Sequence, residues 1–328
     1  MLGKRTTTTT TITVAAVALL AANAAAQTID QIRDAVREAA GRSRQTAFMA
    51  AFLDLSEDTD IAAGSLQVDG EPEFDVKTLR LPWRRDIGLG HDAPELRVEA
   101  GAGYIWSQGV VADIWSGSLP GSETEVRARY QGVSAFLGAG PRFLLHDDVH
   151  FSLLGNASLA YLWNDADYAG PGTAVTSSIL DGILFNWNLA AATYGAAAVL
   201  EHELATGAAT KLQSQLRYDI RRIDVLRSTD GAQNDEDTIE RAMARTELGG
   251  PLGVDVFSHA LDWSSHVTYS RFLGDNRLAL GFLDWWEIGG DLSASLGDDG
   301  ALSRLSLSAA VIVGEDVHGW SFGVGASF

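Results

Sequence analysis

The 328-residue chain has no cysteine. That excludes a disulfide framework and any thiolate metal site. Basic charge is also scarce: 24 Lys+Arg stand against 43 Asp+Glu, a formal net charge of -19. Phosphate binding needs a basic footprint, so the balance argues against nucleic acid as a partner. Proline is low, at 7 residues. Beyond residue 22, no window is long and apolar enough to cross a membrane as a helix. What the chain has instead is glycine (34 residues) and tryptophan (9 residues). Together they suit a sheet-rich chain that meets membrane interfaces.

The first residues read as a secretory signal. Lys4 and Arg5 form a positive region, and Thr6 to Thr11 follow. Ile12 to Ala22 is apolar but too short to span a bilayer. Ala24-Ala25-Ala26 then supplies a small-residue cleavage pattern before Gln27. Residues 1–26 are therefore expected to be a signal peptide. The mature protein is expected to cross the inner membrane of a Gram-negative cell.

The other end of the chain is "GWSFGVGASF", Gly319 to Phe328. Trp320, Phe322, Val324, Ala326 and Phe328 alternate with small or polar residues, the period of a half-buried strand. The same period recurs upstream. In "KLQSQLRYDIR", Leu212, Leu216, Tyr218 and Ile220 alternate with Lys211, Arg217, Asp219 and Arg221. In "ELRVEAGAGYIW", Leu96, Val98, Tyr104 and Trp106 alternate with Glu95, Arg97 and Glu99. A soluble sandwich alternates too, but here aromatics sit at strand ends: Trp106, Tyr161, Trp163, Trp286 and Trp320. Several long polar connections (Gly109–Glu123, Asn164–Ser178, Arg227–Asp237) alternate with tight ones at His146–Asp148, Ala205–Gly207, Gly249–Gly253 and Gly297–Gly300. The connections at Gly274–Arg277 and Glu315–Gly319 read as short. Interfacial aromatics and loops segregated by length are marks of a transmembrane antiparallel β-barrel. About twelve strands fit between Ala63 and Phe328, with ten as the alternative because Pro82 weakens the second. The barrel domain is placed at residues 61–328.

Residues 27–60 are expected to be a helical segment. Ile29, Ile32, Val36, Ala39 and Ala40 make one stripe, continued to Leu55. The stretch is expected to plug the lumen, with the membrane surface as the alternative. In the lumen, Asp30, Asp34 and Glu38 would face arginines, and Arg33, Arg37 and Arg42 would face carboxylates.

Charges on the inward strand faces are the candidate site residues: Arg97, Glu99, Arg127, Arg129, Lys211, Arg217, Asp219, Arg221, Asp262, Glu287 and Asp291. Facing lipid, a cation near the midplane costs about 2–4 kcal/mol, which sends them inward. There they either pair into a closed shell or line a porin-like, water-filled path. Asp262, Ser264 and His266 share an inward face, spaced about 7 Å apart along one strand. No second group converges on them, so they read as lumen lining and no catalytic residue is assigned. The acidic loop residues match no calcium spacing, and the scattered histidines point to no metal site. No cofactor is expected, and the chain leaves the oligomeric state open.

Signal peptide, helical segment, about twelve strands and a terminal phenylalanine together resemble the translocator barrel of autotransporters. No passenger is expected, because only a few residues separate Ala26 from Ile29. The likeness is therefore to the solitary outer-membrane autotransporter-like β-barrel family. It implies a non-enzymatic protein of the cell outer membrane, in contact with outer-membrane lipid. It also implies that Trp320, Phe322, Val324 and Phe328 form the signal read by the barrel-assembly machinery. Translocation of a separately encoded partner and a barrel-embedded hydrolase remain as alternatives.

Overall fold

A computed structural model describes residues 28–41, 61–68, 74–90, 93–111, 124–207, 209–233, 237–256, 259–275, 280, 282–296 and 304–327. The expected signal peptide, residues 42–60 and Phe328 lie outside them. The first element is helix α1 (Ile29–Gly41). Strands β1 (Ile61–Val68), β2 (Phe74–Ile87), β3 (Glu95–Val111), β4 (Glu125–His146) and β5 (Val149–Ala169) follow. Helix α2 (Thr173–Leu180) precedes β6 (Trp187–Ala205) and β7 (Lys211–Ser228). A 3-10 turn at Gly231–Gln233 leads to β8 (Asp237–Val256), β9 (His259–Phe272), β10 (Asp284–Ser295), β11 (Arg304–Gly314) and β12 (Val317–Ser327).

Each strand pairs antiparallel with its sequence neighbour, and β1 pairs with β12, from Ile61↔Val324 to Val68↔Val317. The sheet is a closed twelve-strand barrel. Closure leaves no unpaired sheet edge, which is the condition for strands to cross lipid. Connections at one end include the segment carrying α2 and the segment carrying the 3-10 turn. This is the loop end. The opposite, turn end holds the two-residue turn Asp147–Asp148, the start of β1 and the end of β12.

The period of two sorts the side chains. Leu216, Tyr218 and Ile220 on β7 are exposed outward, while Arg217, Asp219 and Arg221 are buried inward. The same holds for Trp320, Phe322 and Val324 on β12, which all point outward and are exposed. A surface this rich in exposed Leu, Val, Ile and aromatic side chains has no place in water and matches a lipid belt. Near the loop end the belt carries Tyr161 5.8 Å from Trp163 and Tyr269 4.8 Å from Trp286, ring centroid to centroid. Trp83 and Phe143 are exposed near the turn end. These are the two aromatic levels of a membrane barrel.

Several boundaries differ from the sequence expectation. Gly249–Gly253 is not a turn: β8 runs through it to Val256, with a register shift between Pro251 and Asp255. Such an irregularity absorbs the proline, which cannot donate to the ladder. Strand β10 begins at Asp284, so the β9–β10 connection is longer than the Gly274–Arg277 read from the sequence. The reason is packing, because Leu280 and Phe282 turn into the barrel and are buried there. Finally, β5 continues past Trp163 to Ala169.

Leu137 on β4 points outward in mid-strand and is 57% exposed. Leu137→Arg puts a cation in the belt and is expected to destabilise the barrel by about 2–4 kcal/mol. Arg127→Leu, on the same face at the loop end, is expected to be near neutral. Urea midpoints in detergent, followed by heat-modifiable gel mobility, check both.

Candidate functional site

The lumen has two unlike halves. In the loop half, one level of inward side chains is apolar. Leu66, Val76, Ile105, Leu162, Trp187, Leu189, Ile223, Ile239, Phe272, Trp285, Ile312 and Val317 belong to one buried cluster, with Phe282 from the β9–β10 connection and Tyr130 against it. All twelve strands contribute to this collar. Phe272 packs on Trp285 at 5.3 Å and on Phe282 at 5.7 Å, both edge to face, an arrangement favourable for aromatic quadrupoles. The collar's clustered core residues are at most 9% exposed, so apolar side chains pack against one another at this level of the lumen.

Helix α1 lies beyond the collar, at the loop end. Its buried stripe is Ile32, Val36 and Ala40, packed with Val126, Ala128, Ile179, Leu180, Ile183 and Phe185. Arg33 donates to the carbonyls of Ser178 (2.7 Å) and Asp181 (2.8 Å). These are acceptors that the end of α2 leaves free. Arg37 pairs with Asp230 (3.0 Å) and with Asp34 (2.7 Å), and Asp230 holds its guanidinium above the ordinary pKa. The charges of α1 thus meet loop groups, whereas the sequence had set them against the carboxylates and arginines of the lumen wall. Ile29, included in the sequence stripe, is half-exposed.

In the turn half, inward side chains are charged and paired. Arg97, 1% exposed, bridges Asp86 (2.8 Å) and Glu201 (2.7 Å). Arg142 joins from β4, binding Glu95 (2.6 Å) and Glu201 (3.3 Å). A second group holds Arg217 between Glu99 (3.0 Å) and Asp219 (2.8 Å), with Arg221 on Asp219 (3.0 Å). Glu99 is on β3 and Arg217 on β7, so this pair reaches over three intervening strands. Small inward residues on those strands permit it: Gly138, Ser158, Gly195 and Ala197. A Cβ on Gly138 would lie 2.4 Å from Asn156 Oδ1 and 3.7 Å from Glu99 Cβ.

A third group surrounds His266, which is buried on β9. Its Nε2 lies 3.3 Å from Glu287 Oε1 and its Nδ1 lies 3.5 Å from Asp291 Oδ2. Ser264 donates to Asp291 (2.9 Å) rather than to His266, so the arrangement is not that of an activated serine. Nearby spaces of about 510 and 500 Å³ share Arg245, Glu247 and Glu287 in their walls.

The sequence-predicted charges therefore divide. Arg97, Glu99, Arg217, Asp219 and Arg221 lie buried in the lumen. Glu287 and Asp291 meet at His266, and Asp262 pairs with Arg304. Lys211 lies at the turn-end rim on Glu203 (2.6 Å). Arg127 and Arg129 do not face the lumen. They share the outward face with Val133 and Leu137, opposite in parity to the buried Val126 and Ala128, and pair with Glu125 and Asp167 at the loop end. That position lies at the end of the strand, where an outward cation escapes the midplane penalty. Asp86, Arg142, Glu201 and Glu247 were missed. They sit toward the turn ends of their strands, and two are found only through register: Asp86 faces Arg97 and Glu247 faces His266.

No protein-family model matches the chain, and no curated protein matches it. Solved structures do match. The transport unit of the autotransporter AIDA-I from Escherichia coli aligns at 13% identity, covering 89% of this chain and 99% of that one, with a TM-score of 0.52. The beta domain of the Bordetella autotransporter BrkA aligns at 15% identity over 83% and 100%, with a TM-score of 0.48. The translocator domain of the autotransporter NalP from Neisseria meningitidis aligns at 14% over 91% and 98%, with a TM-score of 0.46. The likeness to the AIDA-I transport unit is one of fold: this chain shares the barrel architecture of that unit.

Arg97→Met is expected to destabilise the barrel by up to about 3–5 kcal/mol, because Asp86 and Glu201 lose their closest cation. Adding Glu201→Gln recovers part of the loss. Urea unfolding in detergent, read by tryptophan fluorescence, checks both; an unchanged midpoint for Arg97→Met would show that the network adds no stability.

Proposed function

We propose that the protein is a non-enzymatic outer-membrane barrel of a Gram-negative bacterium, closed toward the outside and holding a polar chamber toward the periplasm. Residues 1–26 act as the signal peptide. The barrel, residues 61–328, sits with its short turns in the periplasm, the arrangement usual for outer-membrane barrels. Trp320, Phe322 and Val324, outward on the last described strand, serve as part of the signal for the barrel-assembly machinery.

The collar carries this reading. A pore needs a continuous polar lining, and here the loop half is filled by Trp187, Phe272, Trp285 and their neighbours. The paired arginines below it act as struts of a shell, since each guanidinium is matched by carboxylates rather than held open for a passing ion. Helix α1 closes the loop end further. The hydrolase alternative loses support from Ser264, whose hydroxyl is bound to Asp291.

A second reading, translocation of a partner chain, draws on one observation: α1 and the first residue of β1 lie at opposite ends of the barrel. Planar-bilayer recording separates the two. The full-length barrel is expected to stay closed under voltage, and Trp187→Ala/Phe272→Ala/Trp285→Ala is expected to conduct. Steady ion conductance by the unaltered barrel would overturn the closed-shell reading.

A further inference from the structure

We infer that Glu247, His266 and Asp291 form a binding site for one divalent first-row transition ion, with Glu287 orienting the imidazole. The inference stands apart from the closed-shell reading, because it depends only on the inward faces of β8, β9 and β10.

Register brings the residues together. Glu247 is directly opposite His266 across β8 and β9. On the other side, His266 is opposite Gly289 of β10, and Glu287 and Asp291 are the inward residues two before and two after that glycine. One ligand atom from each of Glu247, His266 and Asp291 falls within a set no wider than 4.8 Å. Ligands about 2.1 Å from a tetrahedral ion lie about 3.4 Å apart, so side-chain rotation closes the set.

Two further observations point to a ligand. First, His266 is 5% exposed, yet its Nδ1 has no hydrogen-bond partner. At 3.5 Å, Asp291 Oδ2 lies outside hydrogen-bond range of that nitrogen. An imidazole whose Nε2–H donates to Glu287 presents a lone pair at Nδ1. A lone pair facing a carboxylate is unfavourable until a cation, either a proton or a metal ion, stands between them. Histidine ligands of metals commonly donate their other N–H to a carboxylate in this way. Second, the ring has a niche made for it. A Cβ on Gly289 would lie 2.6 Å from His266 Cε1 and 2.7 Å from Nε2. Any larger residue there would push the imidazole out of line with Glu287 and Asp291.

Charge and ligand type set the class of ion. Glu247, Glu287 and Asp291 carry three negative charges, and Arg245, 3.0 Å from Glu247, offsets one. Asp262 is taken by Arg304, and Lys211 by Glu203. Two negative charges remain around a neutral imidazole, matching a divalent cation. One imidazole with carboxylates suits zinc or manganese, whereas calcium and magnesium favour oxygen alone. The absence of thiolate ligands disfavours copper(I).

The test uses the full barrel purified in detergent, stripped with chelator and titrated calorimetrically with Zn²⁺ alone, then with Mn²⁺, Mg²⁺ and Ca²⁺. One Zn²⁺ per barrel is expected. His266→Ala should abolish binding, Asp291→Asn and Glu247→Gln should weaken it at least tenfold, and Glu287→Gln should weaken it about 10- to 100-fold. Heat-modifiable mobility reports whether each variant has folded; if His266→Ala fails that check, Asp291→Asn decides. Absence of Zn²⁺ binding by the unaltered barrel would overturn the inference. So would affinity unchanged in both folded His266→Ala and Asp291→Asn, or binding of Ca²⁺ as tight as Zn²⁺.

Discussion

The pairing of β1 with β12 is the constraint on which the rest depends. A strand edge left open in lipid strands its N–H and C=O groups without partners, at several kcal/mol each. Eight residues of β1, Ile61–Val68, close that edge on both sides. Once the cylinder is shut, every side chain has two choices, lipid or lumen. The alternation along β7 shows the consequence, with Leu216, Tyr218 and Ile220 outside and Arg217, Asp219 and Arg221 inside. The ionic interior follows from closure plus a sequence that keeps its charges on one parity.

Placing ions inside a narrow barrel raises a second problem, since a buried charge without a partner is far more costly than one in water. The turn half answers it by sharing partners. Glu201 accepts from Arg97 and Arg142, and Asp219 accepts from Arg217 and Arg221. The loop half answers it differently, by excluding charge from the collar. The two halves have different physics. Hydrophobic packing fills the collar level of one, while the other is an ion-paired interior in which His266 Nδ1 makes no hydrogen bond.

The barrel was legible because lipid imposes a strict period of two on one face. Strand number, the outward set of β12 and the inward set of β7 all follow from it. The collar was not legible for the same reason. In β5, Leu154 and Leu162 put apolar side chains on the inward face: Leu162 is a collar residue, and Leu154 packs with Ala197 and Val199. Where both faces are apolar, period two disappears. Arg127 and Arg129 were misplaced because the inward rule was applied beyond the belt, where outward cations carry no midplane penalty. The grouping around His266 joins three strands through register. Reading Asp262, Ser264 and His266 along one strand missed partners that lie across β8 and β10.

The chain has no native cysteine, so single introduced thiols report side access without background. The most direct test of a barrel closed outward and open inward is labelling by a bulky, membrane-impermeant maleimide added to intact cells. Thr229→Cys, exposed in the β7–β8 loop, serves as the positive control, and Gln213→Cys, inward at the turn end, as the probe. The account predicts that Thr229→Cys labels in intact cells, while Gln213→Cys labels only after the outer membrane is opened. Labelling of Gln213→Cys from outside intact cells, at a rate like that of Thr229→Cys, would contradict it.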